Sequence, residues 1–134
     1  MRTVHLGNVE ISAQGSPWAL FLYQREFSTP DKQCSWYEDY DAAHKDYKAS
    51  EDKQVEAVNR LSALDNMFCL KTLWACAASV DDSLPPFEQW LKSLADADIP
   101  MVALPLWKME VSVLINAEIF RYKTQTEKEE AAAE

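Results

Sequence analysis

Apolar residues alternate with polar ones only at the start of the chain, and recur at three- and four-residue steps almost everywhere after it. Residues 3–6 and 9–12 alternate around Gly7-Asn8, and a glycine at the first central position suits a type II′ hairpin. In that register Leu6 opposes Val9 and Val4 opposes Ile11 on one face, while His5 meets Glu10 on the other. Gly15-Ser16-Pro17 then opens a helix. Ser16 is placed to cap it, and Pro17 falls in the first turn, where its missing N–H costs nothing. Trp18-Ala19-Leu20-Phe21-Leu22-Tyr23 is apolar on every side, which predicts a deeply buried helix ending at Ser28-Thr29-Pro30-Asp31.

Ser35 and Glu38 have the spacing of a capping box and start a second helix, on which Trp36, Tyr40, His44 and Tyr47 form one stripe among acids and lysines. The charged run 49–53 either breaks this helix or continues it. A third and longest helix is expected through Val55, Val58, Leu61, Leu64, Phe68 and Ala75, becoming apolar almost all round from Phe68 to Ala77. After a turn at residues 81–86, Phe87, Trp90, Leu91 and Leu94 predict an amphipathic helix of about three turns. Asp96, Asp98 and Pro100 stop it, and Pro105 starts a last helix through Trp107, Val111, Leu114, Ile115 and Phe120. From Lys123 the apolar stripe is lost.

The expected architecture is therefore mainly α: a helical domain of about five helices over residues 1–122, carrying a small β-hairpin at 1–13. A polar tail, frayed or disordered, follows over 123–134. Composition agrees. Two glycines stand where an average of about 7% would give roughly nine, so turns needing positive φ must be few. At 134 residues with 48% apolar content, a single domain can bury roughly two-thirds of its unfolded surface without a disulfide staple.

Charge narrows the range of partners. Thirteen lysines and arginines face 22 acids, a formal charge of −9, which repels phosphate backbones and anionic lipid surfaces and suits contact with protein. No apolar stretch reaches the roughly 18 residues of a membrane span, and Met1-Arg2-Thr3-Val4-His5 has no apolar export segment. Cys34, Cys69 and Cys76 are odd in number and lack a framework spacing, so reduced thiols in the cytoplasm are expected.

Candidate chemistry is sparse. His44 lies one helical turn after Asp41, but zinc needs three or four closely spaced ligands and no CxxC or HExxH is present, so no metal ligand is assigned. Cys69 and Cys76 sit among Leu, Trp and Ala, surroundings that raise a thiol pKa and leave no nucleophile. Glycine at positions 7 and 15 alone builds no phosphate loop. No catalytic residue and no cofactor is expected, and an enzyme is not the reading. The feature that best suits a contact is the aromatic stripe Trp36, Tyr40 and Tyr47, since aromatics ringed by charge resemble interface anchors; inward packing of the same stripe is the commoner outcome.

In their order and spacing the hairpin at 3–12, Tyr23-Gln24-Arg25-Glu26-Phe27, Leu70-Lys71-Thr72-Leu73-Trp74-Ala75, Phe87-Glu88-Gln89-Trp90-Leu91 and the stretch from Trp107 to Phe120 form a series. That series resembles the tail assembly chaperones of long-tailed bacteriophages and their prophage relatives, over most of residues 1–122. The family's glycine after the first helix is replaced here by Ser28. The resemblance implies a chaperone that binds the tape-measure protein, keeps it soluble and helps recruit tail-tube subunits. It would act in the host cytoplasm, outside the mature virion, with or without self-association, and with a frameshifted longer product in many relatives. The alternative from another class is an acidic regulatory or DNA-mimic protein filling a basic groove; it rests on the −9 charge alone.

Overall fold

The computed structural model describes residues 1–44, 50–102 and 104–121. Strands β1 (Arg2–Leu6) and β2 (Val9–Ala13) pair antiparallel, with Leu6 opposite Val9, His5 opposite Glu10 and Val4 opposite Ile11, as the alternation predicts. Gly7 has φ 60° and Asn8 is not among the positive-φ residues, the pattern of a type II′ turn. Gly7 serves a second purpose. A Cβ there would collide with the carbonyl oxygen of Asp98, so the hairpin tip lies directly against the chain that follows the fifth helix.

Six helices follow among the described residues: α1 (Pro17–Phe27), α2 (Trp36–Ala43), α3 (Lys53–Ala63), α4 (Asn66–Ala78), α5 (Phe87–Ser93) and α6 (Leu106–Leu114). The last runs directly into a π-helical turn, Ile115–Ile119. The molecule is mainly α with a two-stranded hairpin at its N-terminus. Ser16 Oγ caps α1 by accepting from the Ala19 amide at 3.1 Å. Ser35 precedes α2 in extended conformation but makes no side-chain cap bond, so the capping box suggested by Glu38 does not form.

The count rises from five to six because the expected long third helix is two. Leu64 turns extended (φ −65°, ψ 116°) and drops its side chain into the core, ending α3. Asp65 then caps a new helix, accepting the Phe68 amide at 3.0 Å. A buried leucine and a fresh cap outweigh the helical propensity of the surrounding residues. The helix at Phe87 is also shorter than its apolar spacing suggests: α5 has seven residues, and Leu94 lies in the turn beyond it.

α4 is the axis of the fold. Its residues from Phe68 to Ala77, Lys71 excepted, are buried, because α1, β2 and α6 all pack around it, with α2 and α5 closing the remaining sides. α1 lies against this axis through Ala19, Leu22 and Tyr23, yet Trp18 and Phe21 are about half exposed, at 50% and 49%. The expectation of an all-round buried first helix is therefore corrected. The face of α1 that carries Trp18 and Phe21 is left open to solvent among the described residues.

The π-turn ties the end of the described chain to its beginning. The Phe120 amide reaches back to Ile115 O at 3.0 Å, a five-residue step that widens the last turn. Within it Glu118 accepts from Arg2 Nε at 2.8 Å and from the Gly15 amide at 2.9 Å. Gly15 is required here, since a Cβ would come within 2.8 Å of Glu118 Cβ. No helix among the described residues is long and apolar enough to cross a membrane.

Candidate functional site

α3 buries none of its residues. Asp52 caps its start through the Gln54 and Val55 amides, and Arg60 pairs with Glu56 one turn away, so the helix is held mostly by its own local bonds. Its neighbour is α6. The two helices leave a groove of about 800 Å³ between them. Ala57 and Leu61 line it from α3, Met109 and Val113 from α6, and Tyr40 and Phe120 from the neighbouring α2 and π-turn. Met109 and Val113 are 47% and 52% exposed, which for side chains of this kind is open apolar surface.

The aromatic stripe reaches this groove from the inside. Trp36 is only 3% exposed, and its indole N–H donates to Thr72 Oγ1 at 2.9 Å, so its ring belongs to the core and not to a free surface. Tyr40 stacks on Trp36 with centroids 5.2 Å apart and meets Phe120 edge-on at 5.1 Å. His44 completes the row, its ring 4.4 Å from that of Tyr40 and its Nδ1 2.8 Å from Tyr40 O. The structure thus brings Trp36 and Tyr40 together and gives Tyr40 to the groove wall. Tyr47 and the tail 123–134 lie outside the described residues. The apolar groove residues missed as surface, Leu61, Met109 and Val113, carry the helical spacing that ordinarily marks a core.

Polar clusters elsewhere are few and their protons are tightly held. Tyr23 OH donates to Asp39 Oδ2 at 2.6 Å and Cys34 Sγ donates to the same oxygen at 3.0 Å. Burial and the Asp39 carboxylate both push the Tyr23 phenol upward, and push the Cys34 thiol up to about 11. Burial pushes Cys69 and Cys76 up to about 12. All three thiols are therefore protonated at neutral pH, and a thiol is a poor nucleophile. His5 lies beside Glu110 at 3.1 Å and Glu10 at 3.6 Å on the exposed side of the hairpin, where its amide also donates to Glu110. Lys108 is 2% exposed and donates to Ser62 O at 3.3 Å, and burial lowers its pKa. That bond fastens the C-terminal end of α3 to α6. Among the described residues no group of three His, Cys, Asp or Glu side chains is placed to hold a metal ion.

The geometry therefore offers binding surface before it offers reactive groups: an open apolar groove flanked by a helix with no buried residue. Comparison with protein-family models, with curated proteins and with solved structures finds no match to the chain.

Proposed function

We propose that this protein is a tail assembly chaperone of a long-tailed phage or prophage, and that it receives a helix of the tape-measure protein in the groove between α3 and α6. One observation carries the reading: a helix with no buried residue stands beside half-exposed Met109 and Val113, leaving an apolar channel with room for a partner's side chains. An amphipathic helix laid into such a groove covers its apolar stripe without new chemistry. A formal charge of −9 keeps the complex of chaperone and sticky client in solution. The order of sequence motifs supplies the identity of the client, and tail-tube subunits are recruited to the same complex in the host cytoplasm.

The placement of the acids favours this reading over mimicry of a nucleic acid. Asp52 and Asp65 cap helices, Glu118 and Glu110 bind the hairpin through Arg2 and His5, and Asp39 accepts from Tyr23 and Cys34. These carboxylates are tied to the chain's own caps and contacts, which a duplex-like external array does not require.

Co-expression with the tape-measure protein from the neighbouring gene, followed by affinity capture, tests the proposal. The client is expected in the soluble fraction and retained by the wild-type chain. A Met109→Asp/Val113→Asp variant, changed only at half-exposed positions, is expected to stay folded and lose at least tenfold of the captured client. No capture by the wild type, or equal capture by the variant, overturns it.

A further inference from the structure

A second surface lies on α1, away from the α3–α6 groove. Trp18, Phe21 and Arg25 follow one another at three- and four-residue steps on the outward face. The two rings stack at 5.3 Å with 19° between their planes, and Arg25 Cζ lies 5.7 Å from the Phe21 centroid. Stacking on Phe21 gives the Trp18 indole a partner within the helix while leaving it half open to solvent. Trp and Arg are enriched at binding hot spots and Phe at interface cores, so the three together on a surface suit a contact.

Beside Trp18 the chain leaves a cleft of about 200 Å³ between α1 and the turn at 81–86. This is the size of one long side chain. Trp18, Leu22, Trp74 and Leu84 supply apolar lining, and the Trp74 indole N–H is already donated to Pro85 O at 2.9 Å. Glu26, Asp81 and Asp82 also line it, against the single positive charge of Arg25, which already lies over Phe21. No ion pair among the described residues engages the three acids. The Ser83 amide and hydroxyl both donate to Asp81, holding its carboxyl below the ordinary range and so fully charged at neutral pH.

We infer that this cleft takes an arginine side chain presented by a partner protein. The aliphatic stem lies along Leu22 and Leu84, the flat guanidinium stacks on the Trp18 indole, and its N–H groups meet Glu26 and Asp82. Charge decides the class of occupant. An acidic or neutral side chain meets three carboxylates, and a second copy of this chain brings −9 of its own, whereas a basic segment gains from both. The inference does not depend on the tape-measure reading, since it uses other residues on another helix.

Titration of the full ¹⁵N-labelled chain with acetyl-Gly-Arg-Gly-amide, followed by ¹H–¹⁵N correlation spectra, tests it. Saturable shifts are expected at the Trp18 indole N–H and at the Leu22 and Asp82 amides. The peptide with citrulline in place of arginine has the same shape without the charge, and is expected to bind at least tenfold more weakly. Trp18→Ala, and separately Glu26→Gln/Asp82→Asn, are expected to lose at least tenfold in affinity. Their dispersed spectra would show that these surface changes leave the fold intact. Equal binding of the citrulline peptide overturns the inference. So do shifts spread over all the surface acids, or unchanged binding by the folded variants.

Discussion

α3 and α4 are consecutive in the chain, similar in length and both rich in apolar residues, yet they end in opposite environments. α4 buries nine of its thirteen residues, whereas α3 buries none of its eleven. Part of the difference is composition, since α4 is apolar almost all round whereas α3 carries only a stripe. The rest lies in what surrounds each helix. α4 has neighbours on all sides, so its cysteines and alanines let other helices approach closely, while α3 leans on α6 along one edge. A stripe of valines and leucines shows that a helix wants cover; it does not say whether the same chain provides that cover.

The contrast is most directly broken by cavities. Leu73→Ala, at a position with no exposure in α4, is expected to cost about 2–5 kcal/mol in urea unfolding. Val58→Ala, at a 49% exposed position of α3, should change stability by less than about 0.5 kcal/mol. Equal losses at the two sites would mean that α3 is as deeply integrated as α4.

The thiols of α4 give a second handle, through pH. Cys69 and Cys76 are raised to about 12 in the fold, whereas an unfolded thiol ionises near the ordinary value of about 8.5. The unfolded chain therefore loses protons first as pH rises. Stability is full below about pH 8.5 and falls from there toward pH 12, at up to about 1.4 kcal/mol per pH unit for each thiol. Urea midpoints at pH 8, 9 and 10 should show this decline, and a Cys69→Ala/Cys76→Ala variant should show a shallower one. At pH 7.5 Ellman's reagent should label Cys69 and Cys76 only after unfolding.

The smallest effect separates the two caps. Asp65→Ala removes the acceptor for the Phe68 amide at the start of α4 and should lower global stability by about 1 kcal/mol. Asp52→Ala removes the corresponding bond at α3, and its effect should appear as faster amide exchange confined to residues 53–63, with the unfolding midpoint nearly unchanged. If Asp52→Ala lowered the midpoint as much as Asp65→Ala, the two helices would be one cooperative unit.

Much of the fold could be read from residue order. Alternation around Gly7-Asn8 placed the hairpin and its register, and Ser16-Pro17 placed the start of α1. Local signals suffice there because the partners are a few residues apart. The break at Leu64–Asp65 was less visible, since Asp in a helical run is common and only the burial of Leu64 makes the interruption favourable. The exposure of Trp18 and Phe21 was hidden for a related reason. Their sequence neighbours are apolar on every side, and which side lacks a covering helix depends on where α2, α4 and α5 happen to lie. The candidate groove is a property of two helices more than forty residues apart in the chain. Sequence supplied one of its walls, Tyr40, put Leu61 in an apolar stripe and singled out neither Met109 nor Val113.

Glu118 has a consequence for how the protein is made. It joins Arg2 and Gly15 to a turn translated more than a hundred residues after them. β1 rests on α6 and β2 on α4, so the hairpin has only the cover that α4 lends through β2 until α6 is translated. A nascent chain arrested before residue 106 should therefore hold β1 without α6 against it and remain a substrate for proteases, and only the emergence of α6 and the π-turn would close the circle.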